Sequence, residues 1–207
     1  MLHKTKTGKA LALLLAAVML FAGIPFSTSA EGDGTELQLE NLFRREDGTN
    51  AIESSRGIDM DVETGAVTTS PALTAADIDN MHDGDTVKHE DWPWVDSLYR
   101  GAEYILDDLY YVKEMVIYFG YVQNPDKYRV YASDNPDTLY DEASIVADNV
   151  DGKTAPTTIT IDKEIKCVAV VAIGYTIYST RPKEFELYGA KRTGGDEFVS
   201  ENLFQTA

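Results

Sequence analysis

The stretch from residue 127 to 189 sets the tightest limit on the fold. Short runs rich in β-branched and aromatic residues follow one another, each closed by turn chemistry. "YRVYAS" (128–133) places Tyr128, Val130 and Ala132 on one face and Arg129, Tyr131 and Ser133 on the other. "DNPD" (134–137) turns the chain. "ASIVADNV" (143–150) runs into "DGKTAP", and "TTITID" (157–162), "KCVAVVAIGY" (166–175) and "KEFELYG" (183–189) follow. Upstream, "EYILDDL" (103–109) and "YVKEMVIYFGY" (111–121) form a first pair of runs, closed by "NPDK". The mature chain holds no long stripe of 3.6-residue period. Strands at this spacing, with Asn-Pro-Asp and Asp-Gly between them, predict an all-β sandwich or barrel. The run Cys167 to Ile173 is apolar throughout, so its strand is expected to be buried on both faces. In "EFELYG", Phe185 and Leu187 face one way and Glu184, Glu186 and Tyr188 the other, as in a half-exposed strand.

Residues 44–102 are less regular. "GIDMDVETGAVTTSPALT" has room for two short strands, and "AADIDNMHDGD" reads as an acidic loop. "KHEDWPWVDSLYRG" carries both tryptophans of the chain. Exposed aromatic surface on a loop usually has a use. "GAKRTGGDEFVS" (189–200) is Gly-rich and polar, the composition of a linker.

Residues 1–30 have the form of a secretory signal. Lys4, Lys6 and Lys9 precede an uncharged apolar run from Leu11 to Ile24, and Thr28 and Ala30 suit cleavage after Ala30. The run is shorter than the ~18–20 residues a membrane span needs, which disfavours a retained anchor. A lipid anchor at the cleavage site would need a cysteine, and the only one is Cys167. The whole sequence carries 18 Lys and Arg against 35 Asp and Glu, a net charge of −17. Loss of three lysines with the signal makes the balance more negative still. Such a surface repels nucleic acid and anionic lipid. One cysteine excludes an internal disulfide, and its apolar setting predicts an inert buried thiol.

Glu40-Asn41-Leu42-Phe43 is repeated as Glu201-Asn202-Leu203-Phe204, about one module length downstream. Two readings are open. Residues 201–207 begin a second module after a linker over 190–200, or "EFVSENLF" is a C-terminal strand of the same domain.

In order and spacing these features resemble the coagulation factor 5/8 type C, or discoidin, domain, found in bacteria as family 32 carbohydrate-binding modules. "ENLF" (40–43) looks like the opening of such modules and "HDGDT" (82–86) like their Asp-Gly-Asp loop. "YILDDLYYVKEMVIYFG" (104–120) is similar to the strands before their core, "YRVYASDNPDTLY" (128–140) to their strand and turn, and "KEFELYG" to their closing strand. The resemblance spans about 40–189 and implies a discoidin-like, galactose-binding-like β-sandwich jelly roll. On this reading 31–39 is a leader. The implied role is a secreted, extracellular module that binds glycans without turning them over and sits beside further modules of the same polypeptide. An adhesion or protein-interaction module and a ligand-free spacer are the alternatives.

The resemblance also implies a structural Ca²⁺ near the ligand loops. It would be held by the Met81 carbonyl, Asp83, Asp85 and Glu184. Calcium takes six to eight oxygens, and the glycine of Asp-Gly-Asp allows the sharp turn that aims them inward. Lys88 departs from the pattern, standing where a hydroxyl is expected. Sugar binding would fall to loops 86–100 and 174–182, through His89, Trp92, Trp94, Tyr99 and Arg100, then Tyr175, Tyr178 and Arg181. Aromatic faces stack on sugar C–H faces while polar side chains grip hydroxyls. One tryptophan is expected inside and one outside, and packing alone is an open reading for all these aromatics.

Catalysis finds little support. Carboxylate pairs such as Asp107-Asp108 are expected in a chain with 35 acids. No Ser-His-Asp order, zinc spacing or phosphate loop occurs. His82 and His89, seven apart, are weak grounds for a metal.

Overall fold

The computed structural model describes residues 38–88, 92, 98–119, 127–152, 156–174 and 182–191. Among the described residues eight strands are formed: β1 (Glu40–Asn41), β2 (Ile52–Asp61), β3 (Val67–Thr69), β4 (Leu98–Phe119), β5 (Lys127–Ser133), β6 (Ile145–Asp151), β7 (Thr157–Gly174) and β8 (Pro182–Lys191). All pairings are antiparallel, in the order β1-β8-β4-β7-β5-β6, with β2 joined to β3 and β4.

Two strands are far longer than their sequence runs suggest. The expected pair 103–109 and 111–121 is one strand, β4, and the runs 157–162 and 166–175 are one strand, β7. Both bend. The register between them shifts between Ile105 and Tyr110, where Asp107 and Asp108 are exposed. Before the bend β4 pairs with β2; after it, with β8. The two strands therefore serve both layers of a sandwich, and the polar stretch at Asp107 and Asp108 is its corner. This is the all-β jelly-roll architecture that the sequence predicts.

The main core lies between the layers. Leu42, Phe43, Trp92, Tyr104, Tyr110, Met115, Phe119, Val168, Val170, Phe185 and Leu187 are among its buried members. The double burial expected of β7 is observed. Val168, Val170 and Ala172 enter the main core, while Cys167, Ala169 and Val171 join a second cluster with Ile58, Met60, Tyr131 and Leu139. Gly101 lets β4 approach this strand, since a Cβ there would fall 2.4 Å from the Val170 carbonyl oxygen. Cys167 is buried, donates to the Ser133 carbonyl at 3.2 Å, and has its pKa pushed up to about 12 by burial. Such a thiol is inert at neutral pH.

Three local readings are corrected. The stretch read as an acidic loop contains a helix, α1 (Ala75–Asp79). Thr74 and Asp77 form a capping box around its start, and Ile78 is its buried contact. The supposed linker begins later, because Gly189, Ala190 and Lys191 belong to β8. Glu184 is not on a half-exposed face but 1% exposed. The two short strands expected downstream of residue 56 are present as the end of β2 and β3. Residues 1–37 and 192–207, with the proposed signal and the second Glu-Asn-Leu-Phe, lie outside the described residues. The first copy is an anchor. Glu40 and Asn41 pair with Gly189 and Tyr188 on β8, and Leu42 and Phe43 are fully buried. Asn41 Oδ1 accepts from the backbone N–H groups of Phe43 and Leu187, closing the turn that drives both side chains inward.

Candidate functional site

One end of the sandwich gathers the ends of several strands. Arg100, near the start of β4, pairs with Ala172, near the end of β7. Lys127, which opens β5, pairs with Gly174. Phe119, which closes β4, pairs with Pro182, which opens β8. The described residues flanking segments 93–97, 120–126 and 175–181 are thus neighbours. His89, Trp94, Tyr175, Tyr178 and Arg181 themselves lie outside the described residues.

Two expected ligand residues are core residues instead. Trp92 is 1% exposed and stands edge-on to Phe185, with ring centroids 6.3 Å apart. A ring enclosed in this way cannot stack on a sugar. Arg100 is buried, with its Nε 2.7 Å from Asp59 Oδ1 and Nη2 3.2 Å from Asp59 Oδ2. That fork-to-fork pair lies across β2 and β4, where Asp59 and Arg100 are in register. Arg100 is a structural cation, not a free hydroxyl-gripping group. Tyr99 is half-buried against the second cluster.

Beside the same end lies the Asp-Gly-Asp turn, tied to the start of β8. The Phe185 N–H donates to the Met81 carbonyl at 2.7 Å, and Glu184 Oε1 accepts from the Gly84 N–H at 3.0 Å. Asp83 Oδ1 accepts from the Asp85 N–H, and Asp85 Oδ1 from those of Val87 and Lys88. These backbone donors hold the Asp85 carboxyl below its usual pKa. The two aspartates are exposed and spend oxygens on their own turn. Gly84 is required here. Its φ is +87°, and a Cβ would fall 1.2 Å from Arg44 Nη1, which lies over the turn.

Glu184 is the unusual member. Its Oε2 is buried and has no hydrogen-bond partner among the described residues. Burial is the main cause that pushes its pKa up to about 8; Asp83 and Glu186 add to the rise, while the Gly84 N–H and Arg44 oppose it. Glu184 in turn helps hold the Tyr104 hydroxyl well above its ordinary value, though burial is the larger cause there. Tyr104 OH and His82 Nε2 are likewise buried without a described hydrogen-bond partner. The two rings meet edge-on with centroids 5.7 Å apart, and burial lowers the His82 pKa.

A buried carboxylate oxygen with no described donor is what a cation would satisfy, so Glu184 fits the calcium expected from the sequence resemblance. Among the described residues no three His, Cys, Asp or Glu side chains converge as a metal-binding group. An ion here would lean on Glu184 and backbone carbonyls. Sequence reasoning missed Arg44 and Tyr104. The signal for Arg44 was indirect: the glycine of Asp-Gly-Asp leaves room above the turn, but nothing in the sequence says what fills it.

Comparison with solved structures agrees with this architecture. The chain is similar to the module CpGH89CBM32-6 of Clostridium perfringens, with a TM-score of 0.51 and 12% identity, over 73% of this chain and 100% of that one. It is also similar to chitosan-binding module 1 of a chitosanase/glucanase from Paenibacillus sp. IK-5, with a TM-score of 0.50 and 16% identity, over 72% and 99%. The fold is that of discoidin-like, family 32 carbohydrate-binding modules. No protein-family description and no curated protein matches the sequence. Among the described residues no helix is long and apolar enough to cross a membrane.

Proposed function

We propose that this chain is a secreted, non-catalytic module that binds carbohydrate through the loops at one end of its sandwich. The observation that supports this most is the fold, a discoidin-like jelly roll whose structural neighbours are carbohydrate-binding modules. The strand register supports the choice of end. The described residues flanking 93–97 and 175–181 are neighbours there, which supports Trp94, Tyr175, Tyr178, Arg181 and His89 as the ligand residues of the proposal. Trp92 and Arg100 support the scaffold instead, one by filling the core and the other by fixing β4 to β2.

Calcium belongs to the proposal as a structural ion. Glu184 would be its principal side-chain ligand, with Met81, Asp83 and Asp85 supplying oxygens from the turn. When bound, the ion would neutralise the buried carboxylate and pin the turn to β8. The module would confer affinity on a larger secreted protein by proximity, a weak site reinforced by neighbouring modules. The test is calorimetry with the best ligand from a glycan screen, comparing the secreted chain with Trp94→Ala and Tyr178→Ala. Each variant is expected to lose at least tenfold in affinity, about 1.4 kcal/mol. Unchanged binding in both variants would remove the proposed site.

A further inference from the structure

Two adjacent arginines follow the buried Leu42 and Phe43, and their side chains meet different fates. Arg45 is paired. Its Nε donates to Glu40 Oε1 and its Nη2 to Tyr110 OH, both at 3.0 Å. Arg44 is exposed, and its guanidinium has no hydrogen-bond or ion-pair partner among the described residues. It is nevertheless held in a defined place. The Arg44 N–H donates to the Asn41 carbonyl at 3.1 Å, in the turn that buries Phe43. From there the side chain lies over the Asp-Gly-Asp turn and fills the space that a Cβ on Gly84 would need.

The same glycine donates its N–H to Glu184 Oε1 at 3.0 Å. The guanidinium and the buried carboxylate therefore rest on one residue, and Glu184 Oε2 is the buried oxygen left without a described partner. Asp83 and Glu186 repel the Glu184 charge, while Arg44 attracts it. Asp85 is served likewise, by Lys88 and Lys183. Two of the three carboxylates expected to meet calcium thus already have basic side chains acting on them. Through their shared glycine, Arg44 and Glu184 lie inside the ~8 Å Debye length of physiological salt, so their interaction is only weakly screened. A divalent ion brought to Glu184 feels the Arg44 charge as repulsion, doubled by its own second charge.

Building on the calcium proposed above, we infer that Arg44 is a built-in competitor of that ion, a fixed counter-charge over the turn that weakens calcium binding at Glu184. The arginine takes no ligand position. It acts through charge, from the solvent side of a turn whose shape it does not set. An arginine kept there only to pack over Gly84 would leave calcium affinity indifferent to its charge.

The test is calcium titration of the folded chain by calorimetry, at one pH and at physiological salt. Arg44→Met keeps an unbranched apolar stem over Gly84 and removes the charge. It is expected to bind Ca²⁺ about tenfold or more tightly than the wild type. Arg44→Lys keeps the charge and is expected to stay within about threefold of the wild type. Lys191→Met removes one charge seven residues further along β8, roughly 23 Å from Glu184 and beyond the reach of screened repulsion. It is expected to bind as the wild type does, which separates a local charge from the net charge of the chain. Calcium binding by Arg44→Met with none by the wild type would support the proposal in its strongest form. Equal affinity of wild type and Arg44→Met, a gain in Arg44→Lys as large as in Arg44→Met, or the same gain in Lys191→Met would each overturn it and leave the calcium site standing. No calcium response in the wild type and Arg44→Met alike would remove the ion itself, and the competitor with it.

Discussion

Replacing Glu184 by Gln tests the buried carboxylate most sharply. The side chain is 1% exposed and its pKa is raised from 4.5 to about 8. A raised acid pKa means that the folded state prefers the protonated form. Folding stability is therefore highest below the unfolded value and falls as pH rises toward about 8. With about 1.4 kcal/mol per unit, the strain reaches at most about 4–5 kcal/mol when the group is fully ionised. Glutamine keeps an oxygen for the Gly84 N–H and removes the charge. In EGTA, Glu184→Gln is expected to match the wild type near pH 5 and to be the more stable at pH 9. At about 2–4 °C per kcal/mol for a chain of this size, the full penalty corresponds to a gap in Tm of about 8–20 °C. Burial of His82 works in the opposite direction at acid pH, since it must stay neutral, but it acts equally in both proteins and cancels in the difference. Calcium should then close the gap from one side. At 100 times its Kd it would raise the wild type by about 2.7 kcal/mol at pH 9 and leave the variant unmoved. Scanning calorimetry across pH, with and without Ca²⁺, reads both effects. A gap that does not grow between pH 5 and 9 would refute the strained carboxylate. A wild type indifferent to millimolar Ca²⁺ would remove the ion from the account.

Trp92→Ala empties a fully buried site beside Phe185 and should cost about 3–5 kcal/mol by urea denaturation; a loss under 1 kcal/mol would show that the ring is not in the core. Arg100→Ala leaves Asp59 buried without its partner and should cost a similar amount, whereas an exposed ligand arginine would cost nothing measurable. Phe43→Ala should destabilise by about 3–5 kcal/mol, while deletion of residues 201–207 should leave Tm unchanged. Equal losses from the two would show that the second Glu-Asn-Leu-Phe belongs to this domain.

The layers of the fold were legible because strands leave a two-residue period, and the buried strand of Cys167 to Ile173 left a solid apolar run. The continuity of β4 and β7 was hidden. Exposed Asp107 and Asp108 carry the composition of a turn, and composition does not separate a turn from the bend of a strand that changes layers. Helix α1 was hidden by its acidity, although Thr74 and Asp77 spell a capping box. At the site, Trp92 is the tryptophan seen to be buried, and its burial depends on contact with Phe185, almost a hundred residues away; Trp94 lies outside the described residues. Arg100 looked like a ligand because it follows an aromatic loop. Its partner Asp59 is fixed only by the β2–β4 register. Glu184 was found by motif, and its burial came from the turn folded over it, which local alternation does not report.

The central claim is that this chain binds sugar. A glycan array probed with the folded chain tests it most directly. The account predicts retention on a defined subset of glycans, reduced by Trp94→Ala and Tyr178→Ala at the loop end. No retention on any glycan by a chain with an intact cooperative melting transition would contradict it.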